Sequence, residues 1–402
     1  MASHPPTIAI TLLLSSLVAL HPTRASENSV SPFQPQSSAE SDLIDIGVLV
    51  FDPGLPDDAS GLRELEGKGI FAEVRESEAI YIAVHLERML QNAGVWGAVR
   101  VIPKEGNVDL TVSGTILTSN GNELSLDVRA VDSRGRVWLD KRYKEDADPS
   151  PYLARGSTED PFQSLYDRIA KDLLSARKRL DDEDVQTIAA ISRLRFAMDL
   201  APVPFSDHLE LSKGRYSILR LPARDDPMIA RVERLRDRDR MFIDVLDEYY
   251  GDFYGKMRDA YRGWRAENYW ENEAIKRSGE VSSGGGSSIG MISTQGALPW
   301  EGGGVICGTP GVLSGFEPQE PSESAAREAE AKKKSHIAVL RELGASLASD
   351  LTPHLVELEG KVLRLTGSVE SQYAKWRELL REIFTAETGL PHIAKTAEPE
   401  RP

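Results

Sequence analysis

The sequence contains one cysteine, Cys307, so the chain cannot form an internal disulfide bond. After Leu20, no segment is apolar for long enough to span a membrane as a helix. Basic residues are also in the minority, with 48 Lys and Arg against 63 Asp and Glu, a formal net charge of −15. Because a phosphate-binding protein needs a basic surface, this balance argues against nucleic acid as a partner.

Catalytic and metal-binding motifs are absent as well. The histidines are scattered, with no pair at helical spacing and no HExxH, and no G-x-S-x-G elbow occurs. The triplet at residues 302–304 is not followed by the Gly-Lys-Ser/Thr of a phosphate-binding loop. The sequence therefore predicts no catalytic residue, no metal site and no cofactor.

The first 42 residues indicate where the protein resides. Residues 8–20 (IAITLLLSSLVAL) form an uncharged apolar run, and Thr23-Arg24-Ala25 fits the small-x-small rule for signal-peptidase cleavage after Ala25. Residues 26–42 are rich in Ser, Gln and Pro and predict a flexible leader. An exported chain with few cysteines fits the bacterial periplasm, where a large core can replace disulfide bonds.

Residues 43–180 predict an α/β domain with the order β-α-β-β-β-β-α. The central part alternates apolar and polar residues, and Asn120-Gly121 between two such runs is a strong hairpin signal. A second turn at 132–135 leads to a third alternating run, which gives an antiparallel meander of three strands.

Residues 181–278 predict a mostly helical region, with Asp184 capping its first helix and a long amphipathic helix from about Met228 to Trp270. Apolar residues recur along one stripe of this long helix if Asp239 is skipped. They are Val232, Leu235, Phe242, Leu246, Tyr249 and Phe253. Such a stripe predicts packing along a partner helix, which could belong to the same chain or to a second copy in a homo-oligomer.

Residues 279–320 are rich in Gly and Ser and predict a linker or a long irregular loop. Residues 321–388 predict a helix followed by a small α-β-β-α module, and residues 389–402 a flexible tail. The residues predicted to form the core of the module are Leu363, Leu365, Gly367, Val369, Tyr373 and Trp376. The fold class is therefore α+β.

Two stretches resemble known families. The sequence VELEGKVLRLTGSV at residues 356–369 is similar to the strand, Gly, strand and helix pattern of BON domains, over about residues 336–388. That resemblance implies envelope, phospholipid or protein contacts rather than chemistry. Residues 43–178 resemble the ABC-type transport auxiliary proteins of the periplasm in element order, with VDLTVSGTIL and RGRVWLDKRYKED as the matching strands.

The long helix carries two candidate sites. Its aromatic residues could form an interaction surface, or they could pack against neighbouring helices. They are Tyr249, Tyr250, Phe253, Tyr254, Tyr261, Trp264 and Trp270. Its carboxylates at positions 244, 247, 248 and 252 could line a hydrolase site acting on cell-wall material, or they could form a solvated helix face.

Taken together, these patterns predict a non-catalytic exported envelope protein, an auxiliary, scaffolding or binding component of an envelope assembly or lipid-handling system. Its expected partners are envelope proteins or a phospholipid surface. The alternative function is a periplasmic hydrolase that uses the carboxylates of residues 244–252.

Overall fold

The computed structural model describes residues 43–56, 58–67, 70–103, 108–154, 157–223, 225–283, 323–349, 354–358 and 361–390. The predicted signal segment, the leader, Cys307, most of the Gly/Ser-rich segment and most of the tail lie outside the described residues. The described part is mixed α/β, with a five-stranded mixed sheet.

The sheet combines a parallel half with an antiparallel half. Its strands are β1 (Ile46–Leu49), β2 (Val99–Ile102), β3 (Leu110–Ser119), β4 (Glu123–Asp132) and β5 (Val137–Asp146), in the spatial order β2-β1-β3-β4-β5. Strand β1 lies parallel to both β2 and β3. Strands β3, β4 and β5 form the predicted antiparallel meander.

Two polar turns set the register of the meander. Gly121 has φ +85°, which glycine adopts without strain, and the Asn120 carboxamide oxygen accepts hydrogen bonds from the backbone N–H groups of Asn122 and Glu123. At the next turn, the Asp132 carboxylate accepts from two backbone N–H groups and from the indole of Trp138. Both turns satisfy backbone donors that would otherwise lack partners.

The two faces of the meander differ in chemistry. The inward residues of β4, from Leu124 to Ala130 in alternation, are buried. On the outward face, cross-strand ion pairs join Arg129 to Asp140 at 2.7 Å and Arg142 to Asp127 at 2.9 Å. On the apolar side, helix α2 (Ala72–Asn92) contacts β1 and β2.

Shorter helices precede and follow the meander: α1 (Ala59–Gly67), α3 (Ser150–Leu153) and α4 (Gln163–Arg177), which contacts β5. Helix α5 (Asp182–Leu200) is capped by Asp181, whose carboxylate accepts from the N–H of Asp184 at 2.8 Å. The predicted cap, Asp184, instead lies inside the helix and pairs with Arg134.

A small hairpin follows α5 and was not predicted. After α6 (Pro202–Phe205) and a 3₁₀ turn (Ser206–His208), strands β6 (Leu209–Ser212) and β7 (Arg215–Ile218) pair antiparallel. Its tight turn uses Lys213 at φ +51° and Gly214 at φ +75°. The apolar residues of this segment are too few for a clear two-residue period, so the sequence pattern did not reveal it.

The long helix is α7 (Pro227–Ser283), with 57 residues, which extends past the predicted end at Trp270. It packs against α8 (Glu323–Ser349), against α2 and beside β2. The helix partners that its apolar stripe predicts are therefore supplied by the same chain. None of the helices in the described ranges has the apolar length needed to cross a membrane.

The C-terminal elements follow the predicted helix, hairpin, helix order. Strands β8 (His354–Leu358) and β9 (Lys361–Leu365) pair antiparallel, and α9 (Val369–Thr388) begins at the N-cap Ser368. Its C-cap is Gly389, at φ +70°. Helix α9 contacts α7 and α5, and one hydrophobic cluster runs from β1 through α2 and α7 to Phe384.

The residues predicted as the core of the C-terminal module can now be placed. Leu365, Val369, Tyr373 and Trp376 are buried in the shared core. Gly367 is exposed and has φ +106°, a conformation that favours glycine. The side chain of Leu363 lies outside the described residues.

Candidate functional site

Most of the predicted aromatic interaction surface is interior. Five of its seven residues are buried: Tyr250, Phe253, Tyr254, Tyr261 and Trp264. Tyr249 and Trp270 are half-buried. The prediction of a surface is corrected for the five, because their face of α7 packs against the rest of the chain and belongs to the main hydrophobic core.

A buried ion pair lies among these aromatic rings. Arg265 of α7 donates from Nη2 to Oδ2 of Asp160 at 2.7 Å, and the Tyr81 hydroxyl donates to the same oxygen at 3.0 Å. The guanidinium lies 4.3 Å from the ring centroid of Tyr261 and 5.4 Å from that of Tyr81. Burial would raise the pKa of Asp160, but Arg265 holds it below its ordinary value. No sequence motif marks this pair, which joins residues 105 positions apart.

A second buried carboxylate lies on α2. Glu78 has no exposed surface and accepts hydrogen bonds from the hydroxyls of Ser119 on β3 and Tyr261 on α7, while Arg75 faces it at 3.6 Å. His85, two turns further along α2, has Nδ1 at 3.2 Å from the Tyr254 hydroxyl. Burial lowers the pKa of His85. These hydrogen bonds connect α2 with α7 and with the sheet, so the role of Glu78 and His85 is structural.

The carboxylates of the hydrolase alternative are divided between strand β2 and the exposed surface of α7. Asp244 pairs with Arg100, and Asp247 accepts the backbone N–H of Val101 through Oδ1 at 2.7 Å. Glu248 and Asp252 are exposed. Because β2 is an edge strand, Asp247 satisfies a backbone donor that the sheet leaves unpaired, and α7 thereby covers the edge.

Glu87 of α2 is a titratable residue that the sequence analysis missed. Burial, together with the charge of Asp247, raises its pKa to about 7. Burial also raises the pKa of Asp247. A single Glu in a helical sequence does not indicate that a carboxylate from α7 will lie beside it. Across the part of the chain that the structure describes, no group of three His, Cys, Asp or Glu could hold a metal ion.

A cavity of about 240 Å³ opens where α2, α7, α8 and the start of α9 meet. Its lining combines hydrophobic and aromatic side chains with two serines and two glutamates. These residues are Val50, Ile80, Tyr250, Val369, Ser77, Ser368, Glu76 and Glu370. Gly344 of α8 also borders it, and a Cβ there would stand 3.2 Å from the Ser77 hydroxyl of α2. The lining comes from five separate segments, so no motif in the sequence could have shown it.

Comparisons with protein-family models, with curated proteins and with solved structures found no match.

Proposed function

We propose that this chain is a non-catalytic, exported component of a bacterial envelope that acts by binding, as an auxiliary or scaffolding part of an envelope assembly or lipid-handling system. Export rests on the apolar run at residues 8–20 and the cleavage pattern that ends at Ala25. The envelope context rests on the likeness of about residues 336–388 to BON domains and of residues 43–178 to periplasmic transport auxiliary proteins.

The observation that favours binding over hydrolysis is the placement of the carboxylates on α7. A glycoside hydrolase needs two carboxyl groups facing each other across a substrate cleft. Here Asp244 and Asp247 are engaged with β2, and Glu248 and Asp252 are exposed. The aromatic residues that would line a sugar cleft are mostly in the core.

The cavity between α2, α7, α8 and α9 is the place where binding is best supported. It brings together the two regions that resemble envelope families, since α2 belongs to the first and α9 to the second. Concave sites at the junction of several elements are common locations for small-molecule binding. A ligand here would contact both regions at once.

The proposal is tested by expressing the full chain in a bacterium and fractionating the cells. We expect the processed protein in the periplasmic or membrane-peripheral fraction, with crosslinks to an envelope protein or cosedimentation with vesicles of phosphatidylglycerol and phosphatidylethanolamine. A protein found wholly free, with no crosslink and no vesicle binding, would overturn it. Cell-wall hydrolysis that disappears in Asp247→Asn would instead establish the enzyme.

A further inference from the structure

Two tight turns from distant parts of the chain meet in the fold. One joins β4 to β5, and the other joins β6 to β7. The backbone N–H of Tyr216, just after the second turn, donates to the carbonyl oxygen of Arg134 in the first at 2.8 Å. We call residues 134–137 and 211–216 together the double turn.

The double turn is held in place by close packing and by helix α5. The carbonyl oxygen of Gly214 occupies the space that a Cβ at Gly135 would need, so the two backbones are in direct contact. Arg195 of α5 donates from Nη1 to the carbonyl oxygen of Ser133 at 3.0 Å, and its guanidinium lies 4.9 Å from the ring centroid of Tyr216. Because these contacts order both turns in advance, a partner would lose little affinity to ordering them.

The exposed charges of the double turn have one sign. Three cations are exposed there, and none of them lies within 4.0 Å of a carboxylate in the described ranges. Two carboxylates of this region, Asp132 and Asp184, already pair with Arg134. The chain as a whole carries −15, so this local positive charge runs against its overall balance. The three cations are Arg136, Lys213 and Arg215.

Aliphatic side chains are exposed beside these cations. Leu211 is 59% exposed and Val137 is 41% exposed. Leu211 lies opposite Tyr216 in the hairpin. The exposed Glu210 is its neighbour on β6, and because side chains alternate along a strand, Glu210 points to the opposite face. The face that carries Leu211 therefore combines aliphatic surface with positive charge.

This combination distinguishes between classes of anionic partner. A nucleic acid would pair with the cations but would leave the aliphatic side chains in water, since bases stack on aromatic rings. An anionic phospholipid surface matches both features. Its phosphates attract Lys and Arg, and its boundary between headgroups and acyl chains takes up aliphatic side chains.

We propose that the double turn docks the protein on an anionic phospholipid surface, with Arg136, Lys213 and Arg215 at the headgroup phosphates and with Leu211 and Val137 at the acyl boundary. The inference rests on the proposed function for its envelope setting, and it goes beyond that function by assigning the membrane contact to a surface apart from the cavity.

Cosedimentation of the full chain with vesicles tests the proposal. The vesicles contain equal parts of phosphatidylglycerol and phosphatidylcholine, or phosphatidylcholine alone. We expect binding to the anionic vesicles, weakened by added salt, and much less binding to the neutral ones. No binding to the anionic vesicles, or equal binding to both kinds, would overturn the assignment.

A triple variant locates the contact. Arg136→Gln, Lys213→Gln and Arg215→Gln together should weaken binding to the anionic vesicles by about 100-fold, since each cation near such a surface contributes about 5-fold. The control is a second triple variant with the same loss of charge at other exposed positions: Lys171→Gln, Arg179→Gln and Lys256→Gln. An equal loss in both triple variants would reduce the effect to net charge and overturn the assignment.

The aliphatic contribution has its own matched pair. Leu211→Ser should weaken binding by about 5-fold, whereas Leu153→Ser, at a leucine that is 67% exposed on α3, should have no effect. Both side chains are exposed, so neither change should alter the thermal unfolding midpoint. All variants keep residues 8–20, so any affinity of that apolar run for lipid cancels in the comparison. Unchanged binding in Leu211→Ser would refute insertion at the double turn.

A fluorescent label reports the location directly. In a Cys307→Ser background, Ser212→Cys places an environment-sensitive dye beside the second turn, and Lys256→Cys places it on α7 as the control. Anionic vesicles should shift the emission of the dye at position 212 to the blue and leave that at position 256 unchanged. The reverse pattern, or a crosslink from position 212 to a protein in the absence of any vesicle-induced shift, would overturn the lipid assignment.

The two proposals can fail separately. If vesicle binding depends on the double turn but the expressed protein is not found in the envelope, the envelope role fails and the docking surface stands. If envelope crosslinks are found but vesicle binding is absent or is unchanged in the triple variant of the double turn, the docking surface fails and the envelope role stands.

Discussion

Arg377 of α9 donates from Nη1 to Oδ2 of Asp239 on α7 over 2.8 Å, and both side chains are buried. The hydroxyl of Tyr373 donates to the same oxygen at 3.3 Å, and the other terminal nitrogen of Arg377 pairs with Asp199 of α5. One guanidinium thus connects three helices from distant parts of the chain. Asp239 is also the residue that interrupts the apolar stripe of α7.

Removing one partner of this pair should destabilise the protein strongly. Asp239→Ala leaves the buried Arg377 paired with the carboxylate of Asp199 but not with one on α7, and breaking a buried pair in this way costs about 3 kcal/mol or more. A double variant, Asp239→Leu with Arg377→Met, should recover much of that loss because no charge is left buried. Urea unfolding of Asp239→Leu, Arg377→Met and the double variant measures the coupling between the two residues.

The control for that experiment is Glu330→Gln on α8. Glu330 pairs with Lys334 at 2.8 Å, and both side chains are exposed, so the unfolding midpoint should not change measurably. If the double variant is as unstable as the sum of the single variants, the pair is uncoupled and its role in joining α7 to α9 is refuted.

Trp376 makes the same connection through apolar contact. Its ring stacks on Phe242 of α7 with centroids 5.0 Å apart. From the sequence, Trp376→Ala is expected to unfold the C-terminal module alone. The structure leads to a different expectation: a loss of about 3–5 kcal/mol that is felt by α7 as well.

Native-state hydrogen exchange distinguishes the two outcomes for Trp376→Ala. We expect amide protection to fall around Phe242 together with protection in α9. Unchanged protection along α7, with loss restricted to residues 354–388, would show that the module unfolds independently after all.

The local pattern of the sequence was sufficient for many elements. The meander, the long helix and the C-terminal helix, hairpin, helix order each follow from a run of residues with one period and a clear turn. The hairpin at residues 209–218 and the insertion of β1 between β2 and β3 do not. The hairpin is too short to show a period. The position of β1 depends on its pairing with β2 and β3, which lie more than 50 residues further along the chain.

The site was less predictable because its chemistry depends on distant partners. In the sequence, Asp239 is a break in an apolar stripe, because its buried partner Arg377 lies 138 residues away. The aromatic residues of α7 fit either a surface or a packing face, and only the position of α2 and α8 decides between them. The cavity at Tyr250 has the same origin, since α2, α7 and α9 each contribute isolated residues.

Two glycines of α7 give a matched test of how α8 packs. A Cβ at Gly263 would meet the ring of His336 at 2.4–2.9 Å, whereas a Cβ at the exposed Gly255 would meet nothing within 4 Å. Gly255→Ala should stabilise the protein by about 0.5–1 kcal/mol through helix propensity. Gly263→Ala should destabilise it by about 1 kcal/mol, because His336 must turn away and lose its contact with Glu267.

Thermal unfolding of the two alanine variants provides the measurement. Opposite signs are expected, with Gly255→Ala raising the midpoint and Gly263→Ala lowering it. If both variants are stabilised to the same extent, α8 does not lie against Gly263, and the packing of α7 on α8 is refuted at that position.

Glu87 should make the stability of the protein depend on pH between about 4.5 and 7. Its pKa is about 7 in the folded chain against an ordinary value of 4.5, because burial and the charge of Asp247 disfavour the carboxylate. The folded state therefore binds this proton more tightly than the unfolded state. The resulting stabilisation is fully present below pH 4.5 and is lost as the pH rises through 7.

The size of this effect is limited by solvent. Full conversion of the pKa difference at about 1.4 kcal/mol per pH unit would give about 3–4 kcal/mol, and screening at a half-buried group reduces it to about 1–2 kcal/mol. Glu87→Gln removes the titrating group. Between pH 5 and pH 8, the free energy of unfolding of this variant should therefore fall less than that of the parent protein, and the difference should equal the screened value. Urea unfolding across this range measures the difference. Glu248→Gln changes an exposed residue of α7 and should show the same pH dependence of stability as the parent protein. If the pH profile of Glu87→Gln also runs parallel to that of the parent, the assignment to Glu87 is contradicted.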